Sequence, residues 1–218
     1  MNKYCLIVGL LFVFSTSVIA EIQIYALEIP GLHQKDGGGE YDAILKKAIV
    51  EPGNANVKVV SPSRGMNLFS TCQNCCLTPA NKNPDFYDFG DDVIATKPMS
   101  TAKVYIFTGK NQAVINNLDD LKGKKVGARS GMPYGKKVEG AGLKLFSTSN
   151  IENNIKKIDQ ERLDAFIAYT PDAYTVFEKL GVSPYPHDVD NPISVHPDAL
   201  VCRGVSTDFV NMINSSVQ

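Results

Sequence analysis

Residues 117–131 read NLDDLKGKKVGARSG and leave the chain little choice of conformation. Leu118 and Leu121 flank two acids, which predicts a short turn of helix closed by Gly123. Lys124–Ala128 then reads as a short, mostly buried strand. The bend Arg-Ser-Gly-Met-Pro-Tyr-Gly follows, with Pro133 where a new helix begins. A strand, a small-residue turn and a helix start leave unpaired backbone N–H groups at the C-terminal end of the strand. α/β proteins bind anions and small ligands at such places.

The remainder of the chain supplies the same alternation on both sides of this stretch. Ile22–Leu27 (IQIYAL) alternates as a strand, and His33–Gly39 is a polar, glycine-rich turn. Glu40–Val50 is helical, with Tyr41, Ile44, Leu45 and Ala48 on one face, and Pro52-Gly53 ends it. Val57–Val60 is a second strand, Ser61-Pro-Ser opens a short helix, and Cys75–Leu77 is a third strand. Residues 78–101 read as irregular, with Phe86-Tyr-Asp-Phe89 in their middle. Ala102–Thr108 is a clear strand. Beyond the bend, a helix from about Tyr134 to Phe146 is expected, weakened by Gly140 and Gly142.

Ile151–Arg162 is a better helix, with Asn150 as its cap. Asp164–Tyr169 is a buried strand, and Pro171–Leu180 a helix with Gly181 at its end. Ala199–Arg203 is a last strand and Thr207–Ile213 a last helix. The β-α-β series thus occurs twice, which predicts an α/β fold of two lobes, each a mostly parallel sheet flanked by helices. The first lobe is expected over 21–100 and the second over 101–191, with 192–218 returning to the first. Ligands then belong in the cleft between the lobes.

Met1–Ala20 reads as an export signal: one positive charge, an apolar run over Leu6–Phe14, and Val18 and Ala20 spaced for cleavage. Export to the periplasm by a cleaved signal peptide is the expectation. Loss of Lys3 takes 22 basic residues to 21 against 23 acids, a net charge of about −2. There is no basic stripe, so nucleic acid is not an expected partner.

Cys72, Cys75, Cys76 and Cys202 remain, and an oxidising compartment makes disulfides the default. One structural disulfide tying Cys202 to the Cys72–Cys76 cluster is expected, with the connectivity open. No second paired Cys or His motif accompanies the cluster, so neither a metal nor a cofactor is expected. His33, His187 and His196 stand alone among polar neighbours and read as solvated.

The chain resembles the family 3 extracellular solute-binding proteins, the amino-acid-binding type of the periplasmic binding protein superfamily. The resemblance rests on Asp36-Gly-Gly-Gly-Glu-Tyr-Asp-Ala-Ile-Leu, Pro62-Ser-Arg64 and Tyr87-Asp-Phe-Gly-Asp. It continues through Leu118-Asp-Asp-Leu-Lys-Gly-Lys-Lys-Val-Gly with Ser130-Gly131, and Arg162-Leu-Asp-Ala-Phe-Ile. It implies a type II two-lobed protein, a monomer, that closes on a small solute and delivers it to an ABC importer permease in the inner membrane. A sensory receptor is the alternative membrane partner. No covalent chemistry is implied, although some relatives are dehydratases of prephenate-like acids. In such an enzyme, Glu28 or Asp172 would act as the acid beside Arg129.

The departures from the family pattern fall on its polar anchors. The arginine that clamps a ligand carboxylate is replaced by the stretch Asn81-Lys-Asn-Pro-Asp, and the aspartate that holds an amino group by Tyr169. Positive charge is left to Lys82, Arg64 or Arg129, and an acid to Asp172. The family also continues with a further helix past Asn211-Met-Ile-Asn. The candidate ligand-binding residues are Glu28, Tyr41, Lys82, Tyr87, Arg129, Ser130, Gly131, Tyr134, Tyr169 and Asp172. Arg129 offers planar paired donors for a carboxylate or phosphate. Ser130 and Gly131 offer backbone N–H groups, and Tyr87 an aromatic face.

Overall fold

The computed structural model describes residues 21–49 and 54–217. The expected export signal and the helix stop at Pro52-Gly53 lie outside the described residues. Five strands belong to the first lobe or reach into it: β1 (Ile22–Leu27), β2 (Ala55–Val60), β3 (Cys75–Ala80), β4 (Val93–Ala95) and half of β9 (Ser194–Arg203). The second lobe is built on β5 (Ser100–Thr108), β6 (Val126–Arg129), β7 (Leu145–Thr148) and β8 (Ala165–Thr170). They form one curled sheet in the order β2-β1-β3-β9-β5-β8-β6-β7, with β4 also against β9.

β1 runs parallel to β2 and β3, and β6 runs parallel to β7 and β8. β5 and β9 are the antiparallel members, and β9 joins the halves. Its first half pairs with β5 (Val104↔Ser194 to Ser100↔Asp198), and its second with β3 and β4 (Cys76↔Cys202, Ile94↔Cys202).

The period of two along each strand divides the core. Val104, Ile106, Ala165, Ile167 and Tyr169 face one side of the second lobe, and Tyr105, Phe107, Phe166 and Ala168 the other. In the first lobe Leu27, Cys75, Leu77 and Val201 face one side, and Ile24, Cys76, Leu200 and Cys202 the other. Helices α1 (Glu40–Ala48), α2 (Pro62–Thr71) and α6 (Thr207–Asn214) cover the first lobe. Helices α4 (Ile151–Asp159) and α5 (Asp172–Lys179) cover the second.

Four expectations need correction. The helix expected over Tyr134–Phe146 is a single turn, α3 (Lys136–Glu139), and Leu145–Thr148 is strand β7. Gly140 and Gly142 end the helix, and the β-branched and aromatic residues beyond them pair with β6. The irregular stretch contains β4, which adds an edge to β9. Two disulfides form where one was expected, Cys72–Cys75 and Cys76–Cys202, the latter across the β3–β9 pair. The histidines are not solvated. His33 is wholly buried and bonds Asp42 at 2.8 Å, His196 is buried, and His187 is half-buried against the Tyr174 hydroxyl at 2.7 Å. Each polar-flanked histidine has a partner brought from elsewhere in the fold, which local composition does not reveal.

Candidate functional site

β6 ends at Arg129, and the strand direction carries this residue to the C-terminal edge of the second lobe's parallel strands. Its backbone N–H donates to the Tyr134 hydroxyl oxygen at 2.9 Å, which folds the Ser130–Tyr134 bend back on the strand. The side chain crosses to the first lobe, where Nη2 donates to the Glu28 carbonyl at 2.6 Å. Only 8% of Arg129 is exposed, yet Nε and Nη1 find no acceptor among the described residues. Burial holds its pKa below the usual guanidinium value, and the charge of Asp172 opposes that shift. A buried guanidinium with donors to spare is costly in a folded chain and suits a site completed by something else.

Asp172 opens α5 at the same strand edge and is also buried, with Oδ1 unpartnered among the described residues. Burial pushes its carboxyl up to about 7; Arg129 pulls the other way and Asp198 adds to the rise. Tyr134 and Tyr169 stack beside this pair, with ring centroids 5.5 Å apart. The Tyr169 hydroxyl donates to the Pro133 carbonyl and lies 3.2 Å from His196 Nε2.

The crossing strand contributes two further groups. Asp198, at the point where β9 changes partners, accepts from the Tyr41 hydroxyl at 2.9 Å. Burial lifts its carboxyl to about 7, against the pull of that hydrogen bond. His196 lies between the Phe86 ring, at 3.7 Å, and the Tyr169 ring, at 4.7 Å. Burial lowers its pKa to about 4, so it is neutral at pH 7.

The lobes touch around this floor. Ser63 Oγ is 3.4 Å from Ser130 Oγ, and the Lys136 N–H donates to the Asp85 carbonyl at 2.8 Å. Gly131, with φ at +77°, sits so close to α2 that an added Cβ would lie 2.4 Å from the Ser63 nitrogen. A cavity of about 690 Å³ remains open between the loop after β1, the first turn of α4 and the middle and end of α5, and Asp172 is not part of its lining. Arg129 enters it, with Glu28, Lys35, Asn150, Thr175 and Lys179 among its lining. A depression of about 770 Å³ beside Thr108, Lys124 and Asp164 lies at the opposite, N-terminal edge of β6 and β8. Helix N-termini point away from that edge, so the interlobe cavity is the better candidate.

The sequence-derived candidates divide by location. Arg129, Tyr134, Tyr169 and Asp172 converge on the strand edge. Glu28 lines the cavity, its carboxylate 3.2 Å from Lys35 Nζ. Ser130 and Gly131 are exposed where the lobes meet at Ser63. Tyr41 is buried under Asp198, and Tyr87 stacks on Phe89 within the first lobe's core. Lys82 is exposed on the loop after β3 and does not line the cavity. Sequence reasoning passed over Asp198 and His196. The alternation Val195, His196, Pro197, Asp198 would have put both on one face of a strand, had the strand been read back to Ser194.

No protein-family model matches the chain. No curated protein matches it either. Solved structures do. The GluR0 ligand-binding core in complex with L-glutamate superposes with a TM-score of 0.74 at 13% identity, over 90% of both chains. The substrate-binding protein of an amino acid ABC transporter gives 0.61 at 16%, over 90% of this chain and 91% of that one. The ancestral amino acid-binding protein AncCDT-1, a precursor of cyclohexadienyl dehydratase, gives 0.64 at 18%, over 91% and 88%. The chain therefore has the two-lobed α/β fold of the amino-acid-binding type of periplasmic binding protein.

Proposed function

We propose that the chain is a solute-binding protein that captures a small polar solute, amino-acid-like or another small anion, between its lobes. The observation that carries this reading is Arg129, buried with Nε and Nη1 unpaired, facing a buried Asp172 whose Oδ1 is also unpaired. A solute with an acidic end and a donor end would satisfy both. Glu28, Ser130, Gly131, Tyr134 and Tyr169 complete the proposed contact set, with Tyr41, Tyr87 and Lys82 farther out. Delivery to an ABC importer after export to the periplasm is the cellular role we assign, with presentation to a membrane receptor as the alternative.

Thermal-shift and calorimetric screening of the protein lacking residues 1–20 tests the reading. A solute at 100 times its Kd should stabilise the fold by about 2.7 kcal/mol. If no small polar metabolite raised the melting point, the reading would fail. A dehydratase remains a second reading on one observation: Asp172, held near pH 7 beside a buried cation, has the properties of a general acid. Turnover of prephenate by the purified protein decides between them.

A further inference from the structure

The cavity that Arg129 enters has a second polar wall. Arg129 pairs in register with Thr148 at the end of β7. The chain then turns through Ser149 and Asn150 into α4, a helix of nine residues. The Asn150 side chain accepts from the Asn153 N–H at 2.8 Å, and the Ser149 hydroxyl accepts from Asn153 Nδ2 at 2.9 Å. The N–H groups of Ile151 and Glu152 have no acceptor among the described residues. Ser149, Asn150, Ile151 and Glu152 line the same cavity as Arg129, and Lys179 lines it from the end of α5.

The acids around this cavity are already engaged. Glu28 lies 3.2 Å from Lys35, Glu152 lies 2.6 Å from Lys156, and Asp36 Oδ1 accepts from the Gly38 N–H at 3.0 Å. The one charged lining group that is both deeply buried and short of partners is the Arg129 guanidinium. A helix N-terminus carries partial positive charge, and here it meets the guanidinium of Arg129, whose unpaired Nε and Nη1 are closed to solvent in this arrangement, so that docking of an anion on them requires the side chain to shift.

We propose that this corner is an oxyanion subsite, in which a compact carboxylate or phosphate of the bound solute docks between Arg129 and the first turn of α4. The proposal rests on the solute-binding reading and narrows it: the solutes are those that carry such a group, and neutral or purely cationic metabolites are excluded.

The test is thermal shift and calorimetry at constant ionic strength in Tris-chloride, with three probes: inorganic phosphate, succinate and putrescine. A general metabolite screen runs beside them. Phosphate, succinate or both should give a saturable shift, the pair telling a phosphate site from a carboxylate site, and putrescine none. Arg129→Gln should weaken that binding at least about tenfold, through loss of the charged donors. Ser149→Asp, an exposed change that puts a carboxylate at the mouth of the corner, should weaken it to a similar extent. Lys137→Gln, an exposed change on α3 away from the cavity, should leave it unchanged.

If oxyanion binding persisted in both Arg129→Gln and Ser149→Asp, the anion would sit elsewhere and the subsite would be refuted. Shifts from neutral or cationic solutes alone would also overturn the subsite, while leaving the solute-binding reading in place. No shift from any solute would overturn both.

Discussion

At the scale of single residues, the site is held together against the preference of its own charges. Arg129 is buried with two idle nitrogens, and each unsatisfied buried donor costs about 1–3 kcal/mol. Arg129→Met keeps the aliphatic packing and removes that cost. We expect it to raise the unliganded melting temperature by a few degrees while abolishing the solute-induced shift, both read in one thermal-shift series. Asp172 and Asp198 are strained in the same sense, each with its carboxyl lifted to about 7 from 3.8. A folded-state pKa raised above the unfolded one gives stability that is present in acid and lost as pH rises through the folded value. His196 and His33, both lowered by burial, slope the other way and oppose this in the wild type. The Asp172→Asn, Asp198→Asn double variant should therefore gain on the wild type as pH rises from about 4 to 7, and then hold a constant advantage. The gain is at most about 1.4 kcal/mol per pH unit for each carboxylate. Denaturant titrations at matched pH values would show it, and a difference independent of pH would contradict it.

At the scale of elements, Gly131 shows how the bend was legible and its purpose was not. Leu118–Gly131 announces turn, strand and bend from local pattern, and the structure has each in place. Nothing local says that Gly131 will adopt a φ of +77° with α2 pressed against it. A Cβ there faces both a left-handed backbone and the Ser63 nitrogen at 2.4 Å. Gly131→Val should thus leave both lobes folded, with circular dichroism unchanged, but weaken solute binding at least about tenfold by holding the lobes apart. The strands β1, β5 and β8 and the helices α1 and α5 were readable because hydrophobic period and caps are local. β7 was misread because Leu145–Thr148 gains its strand identity from β6 alongside. The first half of β9 was missed for a similar reason: Pro197 interrupts the apolar pattern, and pairing with β5 supplies what the pattern lacks. Asp198 and His196, which the crossing strand brings to the site, went with it.

At the scale of the whole molecule, the question is what closure does. The two halves share β9 as a continuous strand, so on the solute-binding reading a motion between them would pivot on β9 and the neighbouring end of β5. Among the described residues, the direct polar contacts across the cleft are few: Arg129 to the Glu28 carbonyl, Lys136 to the Asp85 carbonyl, and Ser63 beside Ser130. On the solute-binding reading, contacts so sparse would leave the open and closed forms within a few kcal/mol, a gap that a bound solute can overcome. The serine pair offers a way to freeze the motion. Its hydroxyl oxygens are 3.4 Å apart, and both side chains are exposed. Replacing both by cysteine should allow a bridge to form across the mouth. If solute enters only through the open form, the oxidised Ser63→Cys, Ser130→Cys protein should take up added solute far more slowly than the wild type. Mild reduction should restore the rate, and protein oxidised with solute already bound should retain it through dialysis. The wild-type protein reduced in parallel is the comparison: Cys76 and Cys202 are wholly buried, whereas Cys72 of the Cys72–Cys75 pair is half-buried and accounts for any change that is not due to the engineered bridge. Equal uptake rates in the oxidised and reduced forms would mean that the solute reaches Arg129 without the lobes parting.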